Sequence, residues 1–460
     1  MAKIGLEIHG YIKTKEKLFC SCKAIHGAKL TKPNTNICPI CTGQPGSKPL
    51  APNSTAIEKA IQIALILNCK INQKLSWQRK HYSWPDLPKG YQNTMSGPHS
   101  IPNGEKGKFL GIGITECHLE EDPAAWNPET GEIDYNRSGS PLIEIVTDPD
   151  FTSSEQVVEW LRSLITTLDY IKAIDKTAGI KADVNISLPE KKGERVELKN
   201  INSIRKIEKA IEIEIQRQNQ KGQLPKIQQT RRFDEEKETT QLMRTKENAQ
   251  DYRFISDPDL PTLIIDKKRI EKIKSALPET PQAKLEKLIK KHKVDKKAAQ
   301  ILTQKLELVE FFEEVLRQKQ VKDKKLATRW ATEELLAVLN YNKKELDDPD
   351  INIQPKHFVE LLELIQNKTL TELKAKDILR TWIPSSKSPA KATKKQSQIS
   401  DKGAIGKIVD EVIKKNKQAI DDYKSGNQNA LNFLIGQVMR LSNKRADYQT
   451  ARKILMEKLK

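Results

Sequence analysis

Ile4-Gly5-Leu6-Glu7-Ile8-His9, Cys117-His118-Leu119-Glu120-Glu121-Asp122 and Pro141-Leu142-Ile143-Glu144-Ile145-Val146 place acids and imidazoles inside apolar, strand-like stretches. Side chains alternate faces along a strand, so Glu7 and His9 point one way while Leu6 and Ile8 point the other. A carboxylate set among Leu, Ile and Val is costly unless a cation or hydrogen bonds satisfy it. Three such stretches therefore predict a sheet with one apolar face and one face able to hold a hard metal ion. Oxygen-rich sites with a single imidazole suit Mg²⁺ or Mn²⁺ better than zinc.

Working outward, Phe109–Thr115, Val184–Leu188 and Val196–Lys199 also alternate as strands of a mixed or antiparallel sheet. Between them, Asn53 to Asn68, Ser153 to Tyr170 and Ser203 to Gln218 repeat apolar residues at helical spacing, and Ser153 with Gln156 resembles a capping box. The first part of the chain reads as α+β. From about Glu279 onward the pattern is entirely helical: Lys284 to Lys291, Ala298 to Gln318, Thr328 to Leu339, His357 to Asn367 and Thr371 to Trp382 each carry one apolar stripe. A low-complexity stretch starts at Pro384, and Ile405, Ile408, Val409, Val412 and Ile413 then open a further helical segment, followed by Leu431 to Leu441 and Ala451 to Leu459. The expected organisation is an α+β domain over 1–275, a helical domain over 276–385, a linker over 386–400 and a small helical tail domain over 401–460.

The chain has 460 residues, 37% hydrophobic and 31% charged. No apolar run approaches the roughly 18 residues of a membrane span, and the first residues lack the apolar centre of a signal peptide, so a cytoplasmic protein with no membrane partner is expected. Lys and Arg number 80 against 61 Asp and Glu, a formal net charge of +19. That excess favours a polyanionic partner such as RNA. Between Lys387 and Lys460 stand 17 basic and 7 acidic residues, making the tail the first place to look for nucleic-acid contact.

Four of the six cysteines lie close together, as Cys20-x-Cys22 and Cys38-x-x-Cys41. In a cytosolic chain, two cysteine pairs separated by such a loop read as a tetrahedral structural zinc site rather than disulfides. Cys69 and Cys117 lack such partners and read as packing residues. No glycine-rich phosphate loop and no nucleophile elbow is present, so any nucleotide is held another way. Arg79 to Gln92 offers Lys80 and Lys89 as charges and Tyr82 and Trp84 as stacking surfaces on a Pro- and Gly-stiffened loop.

These residues carry a resemblance. Gly5-Leu-Glu-Ile-His9, Asn36 to Gly46, Arg79-Lys-His-Tyr82 through Tyr91-Gln92, His118 to Asp122, Asn136-Arg-Ser-Gly139 with Pro141 to Val146, Glu197 to Ser203, Thr230 to Asp234 and Met243-Arg244 with Asp251 to Phe254 resemble, in that order, the family of B subunits of the aspartyl/glutamyl-tRNA amidotransferases. The related archaeal E subunits are similar at several motifs but carry an inserted domain for which this chain has no room. The resemblance implies an N-terminal domain like that of glutamine synthetase and a chain acting with an amidase (A) subunit and a small C subunit. It further implies ATP-dependent phosphorylation of the side-chain carboxylate of Glu or Asp mischarged on tRNA, then displacement of the phosphate by ammonia from the amidase. By motif, Mg²⁺ would be held by His9, Glu121 and Glu144; Glu7, Lys80, Tyr82 and Arg137 would be catalytic; Lys89 and Arg253 would contact ATP. Strand alternation alone would instead group Glu120 with His118 and Asp122. One departure stands out: Lys181 occupies a place where the family usually has Arg, so a bidentate contact there becomes a point charge.

Two other classes compete. A zinc-containing RNA-binding scaffold without catalysis leaves Glu7, His9 and Glu144 unexplained in apolar strands. A free-standing ligase for a small amino acid leaves the basic tail unexplained.

Overall fold

The computed structural model describes residues 1–25, 32–175, 178–245, 252–390, 399 and 401–459. The chain divides into two compact units, Met1–Glu279 and Thr280–Lys460. Most of the expected 386–400 linker, and Asp251 of the last family motif, lie outside the described residues.

The first unit is built on a 12-stranded mixed sheet. Its strands in chain order are β1 (Lys3–Tyr11), β2 (Lys70–Ile71), β3 (Gln78–His81), β4 (Tyr91–Thr94), β5 (Gly104–Phe109), β6 (Ile112–Glu121), β7 (Pro141–Thr147), β8 (Ile180–Ser187), β9 (Val196–Ile201), β10 (Gln229–Asp234), β11 (Thr239–Thr245) and β12 (Ile255–Ser256). In space the order is β11-β10-β9-β8-β1-β7-β6-β4-β3-β12, with β5 on β6 and β2 on β5. The β9–β10 pair is parallel and the others are antiparallel. The N-terminal strand thus lies in the middle of the sheet, with β7 and β8 on either side.

The alternation in β1 separates the two faces. Leu6, Ile8, Cys117, Leu119, Ile143, Ile145, Ala182, Val184 and Leu198 are buried in one core with residues of α1 (Ser54–Ile66), α2 (Ser154–Tyr170) and α3 (Ile204–Asn219). Asn53, Ser153 and Ser203 cap these helices. The expected capping box at Ser153 is altered: the Gln156 amide N–H donates to Ser153 Oγ, but the Gln156 side chain accepts from Thr152 N–H. Leu161 of α2 is fully buried in this core. Leu161→Ala is expected to cost about 2–5 kcal/mol, read as an earlier denaturant midpoint at unchanged slope; a shift below about 0.5 kcal/mol would show that the core collapses around the cavity.

The second unit is helical. The expected Ala298–Gln318 helix is in fact two, Lys296–Leu302 and Leu306–Arg317. At the break, Thr303 Oγ1 donates to the Ala299 carbonyl and competes with the backbone ladder. Lys324 to Tyr341 runs through a π-helical segment at Trp330–Leu335, which buries Trp330 and Leu335. The last part contains helices Lys402–Lys415, Lys417–Lys424, Gln428–Leu441 and Tyr448–Leu459 around their own core of Ile405, Val409, Val412, Leu434, Val438 and Leu455. Lys417–Lys424 is short and carries little apolar area, which hides its stripe in the sequence. Among the described residues no helix is long and apolar enough to cross a membrane.

Candidate active site

Directly opposed residues of antiparallel strands project to the same face, so the register assembles the polar side of the sheet. Glu144 of β7 stands opposite His9 of β1 on one side and His118 of β6 on the other. Glu7 stands opposite Asp183 of β8, and Asn185 of β8 opposite Glu197 of β9. The result is a continuous polar surface from β9 to β6.

Its centre is His9, Glu120 and Glu144. His9 Nε2 lies 3.3 Å from Glu144 Oε2 and 3.5 Å from Glu120 Oε1. The donor atoms of all three lie within 4.8 Å of one another. An octahedron with metal–ligand distances of about 2.1 Å has edges of about 3 Å, so the trio can close on a Mg²⁺-sized ion with small shifts. His118, fully buried, has Nε2 at 3.2 Å from Glu144 and Nδ1 at 3.2 Å from Glu116. Burial opposes charge on both imidazoles, yet the neighbouring carboxylates prevail, pushing His9 up to about 9 and His118 up to about 10. Burial also works against the Glu144 carboxylate, but the two histidines hold it well below the ordinary range. Glu7 and Glu120 are raised, first by burial and then by Glu144.

Glu121 occupies the other side of β6. It receives hydrogen bonds from Lys89 Nζ at 2.5 Å and from the Asn93 amide at 3.0 Å. The structure therefore places Glu120, not Glu121, with His9 and Glu144. The period of two along β6 decides this: Glu120 shares the face of His118, and Glu121 cannot.

Lys80 and Tyr82 face the same side. Lys80 lies close enough to Glu120 to favour its charged form, and its ammonium sits 4.8 Å over the Tyr252 ring. The Tyr82 hydroxyl is raised by burial and by Asp86, Glu120 and Asp122 around it. Arg137 is committed to the protein, with Nε 2.9 Å from Asp122 and bonds to the Pro123 and Ala124 carbonyls. Asp122 also accepts from Tyr11 at 2.6 Å. Lys89, besides Glu121, donates to Asn93 and lies 4.9 Å over the Tyr91 ring. Arg253 is exposed, and its carbonyl sits 2.9 Å from His81 Nδ1. Lys181 stands opposite His9 on β8, its charge disfavoured by burial and supported by Asp122.

The sequence reading missed a second cluster. Glu7, Asp183 and Glu197 also bring donors within 4.8 Å, but Lys199 fills the space, 2.5 Å from both Asp183 and Glu197. Asp183 also accepts from the Asn200 amide, and Glu197 from Thr230. Alternation in Val196-Glu197-Leu198-Lys199 was the available signal. Also missed was Asp257, which accepts from Arg79 at 2.9 Å and from Asn93 at 2.5 Å and so ties β3 to β4.

Cys20, Cys22, Cys38 and Cys41 converge with their sulfurs within 4.8 Å. The Cys38–Cys41 Sγ separation is 3.8 Å, the edge of a tetrahedron with Zn–S bonds of about 2.3 Å. The Cys41 thiol is held down to about 4, chiefly by its hydrogen bond with Cys20, and Lys17 contributes. Gly43 has φ +64°, and a Cβ there would stand 2.5 Å from the Pro88 carbonyl oxygen. Only glycine lets this knuckle reach the loop that carries Lys89.

The comparisons agree with this architecture. The model of the GatB/GatE catalytic domain matches residues 2–271, and that of the GatB domain matches 310–459. A protein of Methanococcus maripaludis, named as the B subunit of an aspartyl/glutamyl-tRNA(Asn/Gln) amidotransferase, is 43% identical over 471 aligned positions, covering 99% of this chain and 98% of the relative. Relatives with that name from Methanocaldococcus jannaschii and Methanopyrus kandleri are 42% and 40% identical with the same coverage. Fold and comparisons together define a component of a ligase-type, tRNA-dependent amidotransferase. The chain belongs to the family of aspartyl/glutamyl-tRNA(Asn/Gln) amidotransferase B subunits.

Proposed function

We propose that this chain uses ATP to activate the side-chain carboxylate of Glu or Asp carried on a mischarged tRNA, and then joins it to ammonia delivered by an amidase partner. The observation that carries the reading is the His9–Glu120–Glu144 trio with Lys80 and Tyr82 beside it, on one face of a rigid sheet. His9, Glu120 and Glu144 would hold a divalent cation, which would supply positive charge to offset the charge developing in phosphoryl transfer. A substrate carboxylate oxygen attacks the γ-phosphorus as the β–γ P–O bond breaks and ADP leaves. Ammonia then attacks the acyl carbon and phosphate departs, so no protein nucleophile is needed. Lys80 supplies positive charge near Glu120, and Tyr82 keeps its proton because burial, and then the surrounding carboxylates, disfavour the phenolate. Arg137 and Tyr11 hold Asp122, and with it the end of β6, while Lys89 and Arg253 would contact the nucleotide. Lys199 balances Glu7, Asp183 and Glu197 beside the trio.

The cysteine cluster would hold one structural Zn²⁺ that takes no part in the chemistry. The basic tail would grip the tRNA body, and an A-type amidase and a small C-type subunit would complete a cytoplasmic complex. The test is transamidation of Glu-tRNA(Gln) and Asp-tRNA(Asn) by the chain reconstituted with those subunits; absence of ATP-dependent amide formation on both would end the proposal. Deleting residues 400–460 should weaken tRNA binding and flatten its salt dependence by about one unit of slope per lost phosphate contact. An unchanged slope, with loss of complex assembly, would assign the tail to a protein partner.

A further inference from the structure

Lys17 lies in the loop that precedes the cysteine pairs and is 1% exposed. Its ammonium donates to two neutral acceptors, the carbonyls of Asn36 at 3.1 Å and Tyr135 at 3.4 Å. Among the described residues it forms no ion pair with a carboxylate. A buried ammonium with only carbonyl partners is expensive, and such a group persists where an anion compensates it.

The surroundings name that anion. The Lys17 amide N–H donates to the Cys22 carbonyl at 2.9 Å, so the backbone at Lys17 closes the first knuckle. Its Nζ reaches Asn36, two residues before Cys38 of the second. A Cβ built on Gly139 would lie 3.6 Å from Cys41 Cβ and 3.8 Å from Lys17 Cδ, so the lysine stem and Cys41 pack side by side against that glycine. Four thiolates around one Zn²⁺ carry two excess negative charges. No other lysine or arginine is as deeply buried among the described residues.

We propose that Lys17 is the counter-charge of the zinc tetrathiolate formed by Cys20, Cys22, Cys38 and Cys41, lowering the cost of gathering four thiolates, two of them on the buried Cys20 and Cys41, and thereby strengthening metal retention. The inference rests on the zinc reading above. It predicts a coupling: the lysine offsets the excess negative charge of the zinc-loaded cluster, and its contribution to stability falls when the metal is removed.

The test compares the full wild-type chain with Lys17→Met, which keeps the length of the stem and removes the charge. In competition with a chelator of known zinc affinity, the variant should release zinc at about 10–100-fold lower chelator concentration, the range seen for contacts just outside a metal's ligands. Thermal unfolding of the zinc-loaded and metal-free forms supplies the second readout. The expected result is a lower midpoint for zinc-loaded Lys17→Met and an unchanged or higher midpoint for the metal-free form. Equal losses in both forms, failure to fold included, would make Lys17 a packing residue and overturn the proposal, as would identical chelator curves. A wild-type chain that purifies under reducing conditions without zinc refutes the metal reading itself, an outcome distinct from zinc bound equally by both chains.

Discussion

Glu144→Gln is expected to lower ATP-dependent amidation by a factor of about 10² or more, the scale on which a preorganised charge that stabilises phosphoryl transfer is lost. Glu144 is the shared neighbour of the centre, with His9 at 3.3 Å and His118 at 3.2 Å. Its amide replacement is nearly isosteric, so folding should survive while the negative charge that would bind the cation is gone. Glutamine hydrolysis by the amidase partner and tRNA affinity serve as internal controls and should change little. Glu120→Gln should behave like Glu144→Gln, and Mn²⁺ binding should weaken in both. Glu121→Gln should leave Mn²⁺ binding near normal and act through Lys89, which it anchors at 2.5 Å. Near-normal turnover in Glu144→Gln and Glu120→Gln together would make the carboxylates structural. Weakened Mn²⁺ binding in Glu121→Gln alone would restore the grouping implied by the family motif.

Cys41→Ser is expected to reduce zinc from about one ion per chain to almost none and to loosen the segment from Lys17 to Gly46. The segment from Ile12 to Asn53 has almost no regular secondary structure among its described residues, so its backbone order depends on tertiary pins. Zinc binding free energy in such small modules acts as folding free energy. The loss should exceed the 10–100-fold expected for a contact outside the ligands. Because the knuckle packs on the Pro88 carbonyl through Gly43, the effect should spread to the loop carrying Lys89 and raise the ATP concentration needed for half-maximal rate. Elemental analysis and limited proteolysis between residues 20 and 50 read the outcome; full zinc content with unaltered cleavage in the variant would remove Cys41 from the site.

Local pattern determined much of this protein. The period of two in Ile4 to His9 and Pro141 to Val146 separated a polar sheet face from an apolar one, because a strand's pleat permits only two directions. The paired spacing of the four cysteines marked a cluster able to hold a metal ion, and helix caps at Asn53, Ser153 and Ser203 follow from side chains that bond neighbouring amides. Alternation along β6 also placed Glu120 with His118, and in the structure Glu120, rather than Glu121, stands within reach of His9 and Glu144. What the tertiary structure alone decided is which strands adjoin and in what register. That Glu144 lies between His9 and His118, and that Asp183, Glu197 and Lys199 come from β8 and β9 to meet Glu7, depends on contacts between segments far apart in the chain. A strand's sequence states which side chains share a face. It does not state whose face lies next to it, because hydrogen bonds between strands join backbones that are chemically alike, and only the packing of helices α1 to α3 beneath the sheet selects one arrangement.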